Sequence, residues 1–328
     1  MKFEIKKYFL FYIALIFLSL LNTVTHAQTY PDRPIKIVVP FPPGGNVDIS
    51  ARIISLALTE ELGQTVIVEN KPGAAGFLGA MSVVKSRPDG YTLLIASNSA
   101  ISIGPLLNVN APYDPLKDFT PISLLAQTPL VIEVNSALPV KSVHELIALL
   151  KSQPGKVSLG SPSSGSINHM AIEMFQLATN TKFNIIHYKG NAPAVNDLVA
   201  GHVVVSFDQI TSSLQQIKSG RIKALAVTSL TRASELPDIP TLDELGFKSL
   251  EAVTFTAMLG PQGMSADVVT KLNTSLNKIL RLPSTIERFK EAGAQTTGST
   301  ASDFSKFLEN EQRRWKKVII EANIKSDG

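Results

Sequence analysis

The segment Ile35–Asp48, IKIVVPFPPGGNVD, constrains this chain most tightly. A β-branched run ends at Pro42, Pro43, Gly44 and Gly45, and an apolar-periodic stretch, Ile49–Leu62, follows at once. That order spells a strand, a tight loop and a helix start. The loop carries no nucleophile, no metal cluster and no phosphate-loop lysine. It presents backbone N–H groups at a helix N-terminus, which suits a carboxylate or another anion.

The same alternation continues along the chain, so the expected class is α/β, with mostly parallel sheets flanked by helices. Ile35–Pro40, Thr65–Glu69 and Tyr91–Ala96 read as strands, with helices over Val47–Leu62 and Phe77–Lys85. A second series follows. Leu124–Val134 reads as extended, and Ser142–Lys151 as a helix opened by a Ser142/Glu145 capping box. Val157–Gly160, Phe183–His187, Val203–Phe207 and Lys223–Thr228 read as strands. Ile167–Ala178, Ala192–Ala200 and Thr211–Lys218 read as helices, and Thr241–Leu245 as a short one. Val253–Leu259 is extended again, and helices over Ala266–Leu280, Pro283–Ala292 and Ser302–Ala322 close the chain. These last helices lack a sheet of their own and need one to cover. Packing them on the first domain makes the chain cross twice, near Leu124–Val134 and Val253–Leu259. That is a hinge, with a cleft as the ligand site. The expected domains are 28–126 plus 251–328, and 127–250.

Residues 1–27 read as a cleaved export signal: Lys2, Lys6 and Lys7, an apolar run Tyr8–Leu21, and small residues before Gln28. A spanning helix needs about 20 apolar residues, and this run closes earlier at Asn22. The chain has no cysteine, so a lipidated cysteine, disulfides and thiol chemistry are excluded. Without the signal, 28 basic residues face 26 acidic ones, and the cations are scattered. That gives no footprint for nucleic acid.

Three glycine- or serine-rich loops fall at strand-to-helix junctions, the edge where open α/β sheets bind ligands. Loop one is Phe41–Asp48, in which Asp48 reads as a structural complement to the helix dipole. Loop two is Asn70–Gly76. Its G-x-x-G-x-x-G spacing does not fit a dinucleotide fingerprint. It faces either a carboxylate or a packed helix. Loop three is Ser161–Ser166, followed by Asn168 and His169, a cup of hydroxyls and amides. No G-x-S-x-G elbow is present, so a hydrolase has no signature here. His144, His169, His187 and His202 are scattered and read as structural. Asp208 either accepts a ligand amine or caps the next helix at Thr211, and capping is the reading favoured.

Taken together, several motifs resemble one family. They are PFPPGGxxD at Pro40–Asp48, NKPGAAG at Asn70–Gly76, PDGYTL at Pro88–Leu93 and DPLKDFTPI at Asp114–Ile122. GSPSSGSxxHMAxEMF at Gly160–Phe175, YKGxAPAxxDLxAG at Tyr188–Gly201 and LPDIPTLDELG at Leu236–Gly246 complete the set. The chain is similar to the extracytoplasmic solute receptors of tripartite tricarboxylate transporters, the Bug family. The resemblance implies a two-domain, type II-like periplasmic binding protein that closes on a small carboxylate (a di- or tricarboxylate, an acidic amino acid or an aromatic acid). It implies delivery to a two-component membrane permease, with no cofactor, no metal, no catalytic residue and a monomeric receptor. It nominates Phe41, Gly44, Gly45, Gly73, Ala74, Ala75, Gly76 and Ser97 on one side of the cleft. It nominates Ser161, Ser163, Ser164, Ser166, His169, Tyr188, Lys189, Gly190, Asn191 and Asp208 on the other.

Three departures leave the acid open: Ala96-Ser97-Asn98-Ser99-Ala100-Ile101 where the family often has G-T-x-x-T-H, His187 in place of a proline, and Pro162 in the serine loop. Two other readings accompany the receptor. One is a periplasmic sensor built on the same binder. The other is an exported serine hydrolase using loop three.

Overall fold

Ten strands share one mixed sheet in the computed structural model, which describes residues 30–108, 110–321 and 324. The export signal lies outside the described residues. Residues from Arg33 onward form one compact body.

The first half of the sheet begins with β1 (Ile35–Val39), β2 (Val66–Asn70) and β3 (Thr92–Ser97), in the order β2-β1-β3 and all parallel. Ile35, Ile37, Val38 and Val39 are buried, as expected of a strand covered on both faces. Helix α1 (Asn46–Leu62) follows β1 and stops at Gly63 in the left-handed region, φ 65°, whose N–H donates to the Thr59 carbonyl. Helix α2 (Phe77–Val84) follows β2. After β3 the chain enters a π-helical turn, Ser99–Ile103, and then the short helix α3 (Gly104–Leu107). Sequence periodicity gives no warning of this segment, because every residue of the turn is buried and the turn presents no polar face.

β4 (Phe119–Asn135) is the spine. Its first part pairs antiparallel with β9 (Val253–Pro261), which in turn pairs with β3. Its last part pairs antiparallel with β7 (Val205–Gln209) and β8 (Ile222–Val227). Beyond β7 lie β5 (Ser158–Ser161) and β6 (Asn184–His187), parallel again. So the outer strands on each side are parallel and the central ones antiparallel. The two expected crossing segments, Leu124–Val134 and Val253–Leu259, lie side by side within β4 and β9. β10 (Gln295–Thr296) adds a two-residue pairing to β4.

Helix α4 (Val143–Ser152) opens with the expected capping box. Ser142 Oγ accepts from the Glu145 N–H at 3.2 Å, and the Glu145 carboxylate accepts from the Lys141 N–H at 2.7 Å. α5 (Ile167–Thr179), α6 (Asn191–Ala200) and α7 (Ile210–Lys218) follow β5, β6 and β7. The helix expected at Thr241–Leu245 does not form. Thr241 and Glu244 cap one turn reciprocally, and Gly246 at φ 89° ends it there.

The chain closes with α8 (Ala266–Ile279), α9 (Pro283–Glu291) and α10 (Ala301–Glu321). Phe304 and Leu308 of α10 pack with Phe77, Tyr113, Phe119 and Phe255 in the core of the first half. Two turns on, the fully buried Trp315 packs with the core built by Leu130, Ile132, Phe175 and Phe207. One helix therefore anchors in both cores. No helix among the described residues is long and apolar enough to cross a membrane.

Candidate functional site

Five strands bring their carboxyl ends to one small cavity of about 20 Å³. Phe41, Asn46 and Val47 follow β1, Ser97 ends β3 and Ser99 lies just beyond it. Pro162, Ser163, Ser166 and Asn168 follow β5, Gly190 and Asn191 follow β6, and Gln209 ends β7. The lining has no Lys, Arg, Asp or Glu. Its polar groups are hydroxyls and carboxamides.

Loop one is held from behind by Asp48, which is only 2 % exposed. Its Oδ2 accepts from the Gly44 N–H at 2.9 Å and from Arg52 Nε at 2.9 Å. Its Oδ1 accepts from Arg52 at 3.0 Å and from the Asn70 amide at 2.9 Å. The same Asn70 amide donates to the Phe41 carbonyl at 3.0 Å. Burial pushes the Asp48 pKa upward, but the Arg52, Gly44 and Asn70 bonds together hold it below the usual carboxylate range. Asp48 thus fastens the loop to the end of β2 and leaves the loop's cavity face free of charge.

Loop two stands one layer back. A Cβ at Gly76 would lie 3.2 Å from the Phe41 ring and 3.3 Å from Ala100, so the loop props Phe41 against the π-helical turn. Gly73, Ala74, Ala75 and Gly76 all take positive φ, and none of them lines the cavity.

Loop three is tied internally. Ser166 Oγ donates to the Ser163 carbonyl at 2.7 Å and accepts from the His169 N–H at 3.1 Å, capping α5. The Gly165 N–H donates to His169 Nδ1 at 3.2 Å. Ser166 therefore spends its proton on a carbonyl and not on an imidazole. This is the geometry of a helix cap and not of an activated nucleophile. His169 is buried beneath the loop with Glu173 at 3.5 Å from its Nε2, and Ser161 donates to the Ser163 carbonyl at 3.4 Å.

Of the nominated residues, Phe41, Ser97, Ser163, Ser166, Gly190 and Asn191 line the cavity. Gly44 and Gly45 lie at its lip, and Ser161, Ser164 and His169 belong to the loop-three scaffold. Tyr188 donates its hydroxyl to Asp197 at 2.7 Å, and Lys189 is exposed. Asp208 does not cap at Thr211. Its Oδ1 accepts from the Gln209 N–H at 2.8 Å and from the Asn168 and Asn191 amides, because β7 runs straight into α7 with no loop to turn the side chain. Asp208 thus orients two cavity amides from behind. Burial raises its pKa to about 7.

Asn46, Val47, Ser99, Pro162, Asn168 and Gln209 line the cavity without being among the nominated contacts. Most are strand-end or first-turn helix residues, and their position at a strand's carboxyl end is the signal that finds them.

The two halves touch at the lip. A Cβ at Gly190 would lie 2.9 Å from Pro42 Cδ, one at Gly44 3.6 Å from Ala192, and one at Gly45 3.4 Å from Asn191 Oδ1. The cavity is far below the roughly 300 Å³ of an ordinary ligand pocket, and these contacts cover its mouth.

A mixed sheet flanked by helices, with a polar cleft where strand ends meet, fits the architecture of a periplasmic binding protein. The solved structure of the periplasmic binding protein BugD shares this fold, with a TM-score of 0.86 and 36% identity over 90% of this chain and 99% of that one. The match to the tripartite tricarboxylate transporter family receptor model spans residues 50–324, and this chain belongs to that family. It is 38% identical over 300 residues to BugT of Bordetella pertussis, covering 91% of this chain and 92% of the relative. The structure of R. palustris Rpa4515 with adipate is 33% identical, with a TM-score of 0.88, over 90% of this chain and 99% of that one. MatC from Rhodopseudomonas palustris with bound malate is 27% identical, with a TM-score of 0.84, over 88% of this chain and 100% of that one.

Proposed function

We propose that this receptor captures a small carboxylate in the cleft, closes on it, and delivers it unchanged to a two-component membrane permease. The carrying observation is the lining itself: five strand ends supply hydroxyls and carboxamides around the first turns of α1 and α5, with no charged side chain among them. Neutral donors around helix N-termini suit an anion that must later be released. Two relatives carry adipate and malate, which are both dicarboxylates.

Closure pivots where β4 and β9 run together. On this reading residues 28–126 plus 251–328 move against 127–250, with α10 seated in both cores. The nominated loop residues, Phe41, Gly44, Gly45 and Ser97 against Ser163, Ser166, Gly190 and Asn191, form the two facing walls. The chain is exported, loses residues 1–27, works as a monomer and catalyses no reaction. Native mass spectrometry of freshly purified protein tests the central point. A co-purifying acid supports it, and a co-purifying sugar or cation in its place overturns it.

A further inference from the structure

We propose that the Asn46 side chain is a ligand contact, and that it selects an acceptor oxygen at the end of the bound acid nearest α1. The proposal rests on the carboxylate reading above and adds a specificity determinant to it. Asn46 is the first residue of α1, only 1 % exposed, and lines the cavity. Its Oδ1 accepts from Thr128 Oγ1 at 3.1 Å. Its Nδ2 is buried and has no hydrogen-bond partner. Buried amide donors are almost always partnered, so a cavity-lining one left open marks a place for an acceptor.

The amide's orientation follows from a hydroxyl relay. Thr211 Oγ1 donates to Thr128 Oγ1 at 3.4 Å, which leaves the Thr128 proton for Asn46 Oδ1. The Nδ2 edge is then the one presented to the cavity. Charge agrees with this assignment. The N-terminal end of α1 is its positive end, and the one acidic group in that turn, Asp48, is bound by Arg52 on the side away from the cavity. A site that offers a fixed donor discriminates strongly against a ligand lacking the matching acceptor. The ligand class is therefore an acid that carries a second oxygen function, a carboxylate or a hydroxyl, for the α1 end of the cavity.

Calorimetric titration of the purified receptor with sodium malate and with sodium adipate tests this, using Asn46→Ala, Asn46→Asp and Thr128→Val. Asn46→Ala is expected to weaken the bound acid about tenfold or more, the scale of one lost hydrogen bond to a charged group. Asn46→Asp keeps the Thr128 bond but turns a carboxylate oxygen toward the ligand, and is expected to weaken it further. It is nearly isosteric, so it carries the test should the alanine variant melt early. Thr128→Val removes the relay and is expected to cut affinity severalfold. Wild-type affinity in both Asn46 variants overturns the proposal and leaves the carboxylate reading intact. A wild-type receptor that binds neither acid, nor any other in a carboxylate panel, overturns that reading and the proposal with it.

Discussion

Gly190 packs its bare Cα against the ring of Pro42, and a Cβ at that position would lie 2.9 Å from Pro42 Cδ. The contact joins loop one to the turn after β6, so it closes the cleft only while residue 190 has no side chain. Its φ of 141° is also one that L residues rarely adopt. Gly190→Ala is expected to cost about 1–3 kcal/mol from backbone strain. It is also expected to weaken acid binding, by holding the lips apart. Thermal melting and titration calorimetry read the two effects separately. A variant that melts lower yet binds as tightly as wild type contradicts the closing role.

Asp48 fixes loop one through four hydrogen bonds, two of them from Arg52. Asp48→Ala is expected to destabilise the protein by about 1–3 kcal/mol, the cost of leaving buried partners unpaired. The folded pKa is depressed, so the stabilisation is present above the unfolded range of about pH 4 and is lost as pH falls through the folded value. The alanine variant should therefore lose less stability than wild type on acidification below about pH 4. Melting curves from pH 2.5 to 7 check this.

Glu133 and Asp208 make the opposite prediction. Both are fully buried on neighbouring strands, with Glu133 two residues along β4 from Val131, the partner of Asp208, and three of their four carboxyl oxygens have no partner. Burial, and then the nearby Asp208 charge, hold the Glu133 pKa well above the usual range, while Asp208 stands at about 7. Raised folded pKa values stabilise fully below the unfolded range, about pH 4, and that contribution is lost as pH rises through about 7 and beyond. Glu133→Gln is expected to raise Tm at pH 8 and to leave it nearly unchanged at pH 5. A uniform loss at both values contradicts the assignment.

Trp315 ties the last helix to the core of the second half while Phe304 and Leu308 hold it in the first. Trp315→Ala removes a fully buried indole and is expected to cost about 3–5 kcal/mol. Hydrogen exchange should show the lost protection in α10 and in the strands beside Phe175 and Phe207. Loss confined to the first half's core contradicts the bridging role.

Much of this fold was legible because its local signals agree with its global one. The IKIVV run, the Ser142/Glu145 capping box and the Gly63 stop each report an element through chemistry that acts within a few residues. The π-helical turn at Ser99–Ile103 was not legible, because it is buried on every side and carries no amphipathic period. Loop residues with special backbone needs stood out at once, including Gly44 and Gly190. Asn46 did not, since its role depends on which strand ends meet, and a strand order of β2-β1-β3-β9-β4-β7-β5-β6 is not written in any short window. Asp208 was legible as unusual but not as a brace for Asn168 and Asn191, because that needs two distant segments in contact.

The most direct test of the whole account is thermal melting of the purified receptor against single acids (mono-, di- and tricarboxylates and acidic amino acids), with sugars and cationic amino acids as controls. An acid present at about 100 times its Kd should add about 2.7 kcal/mol of stability. The account predicts a shift from at least one carboxylate and none from the controls. Stabilisation by a sugar or a cationic amino acid, with no response to any acid, would contradict it.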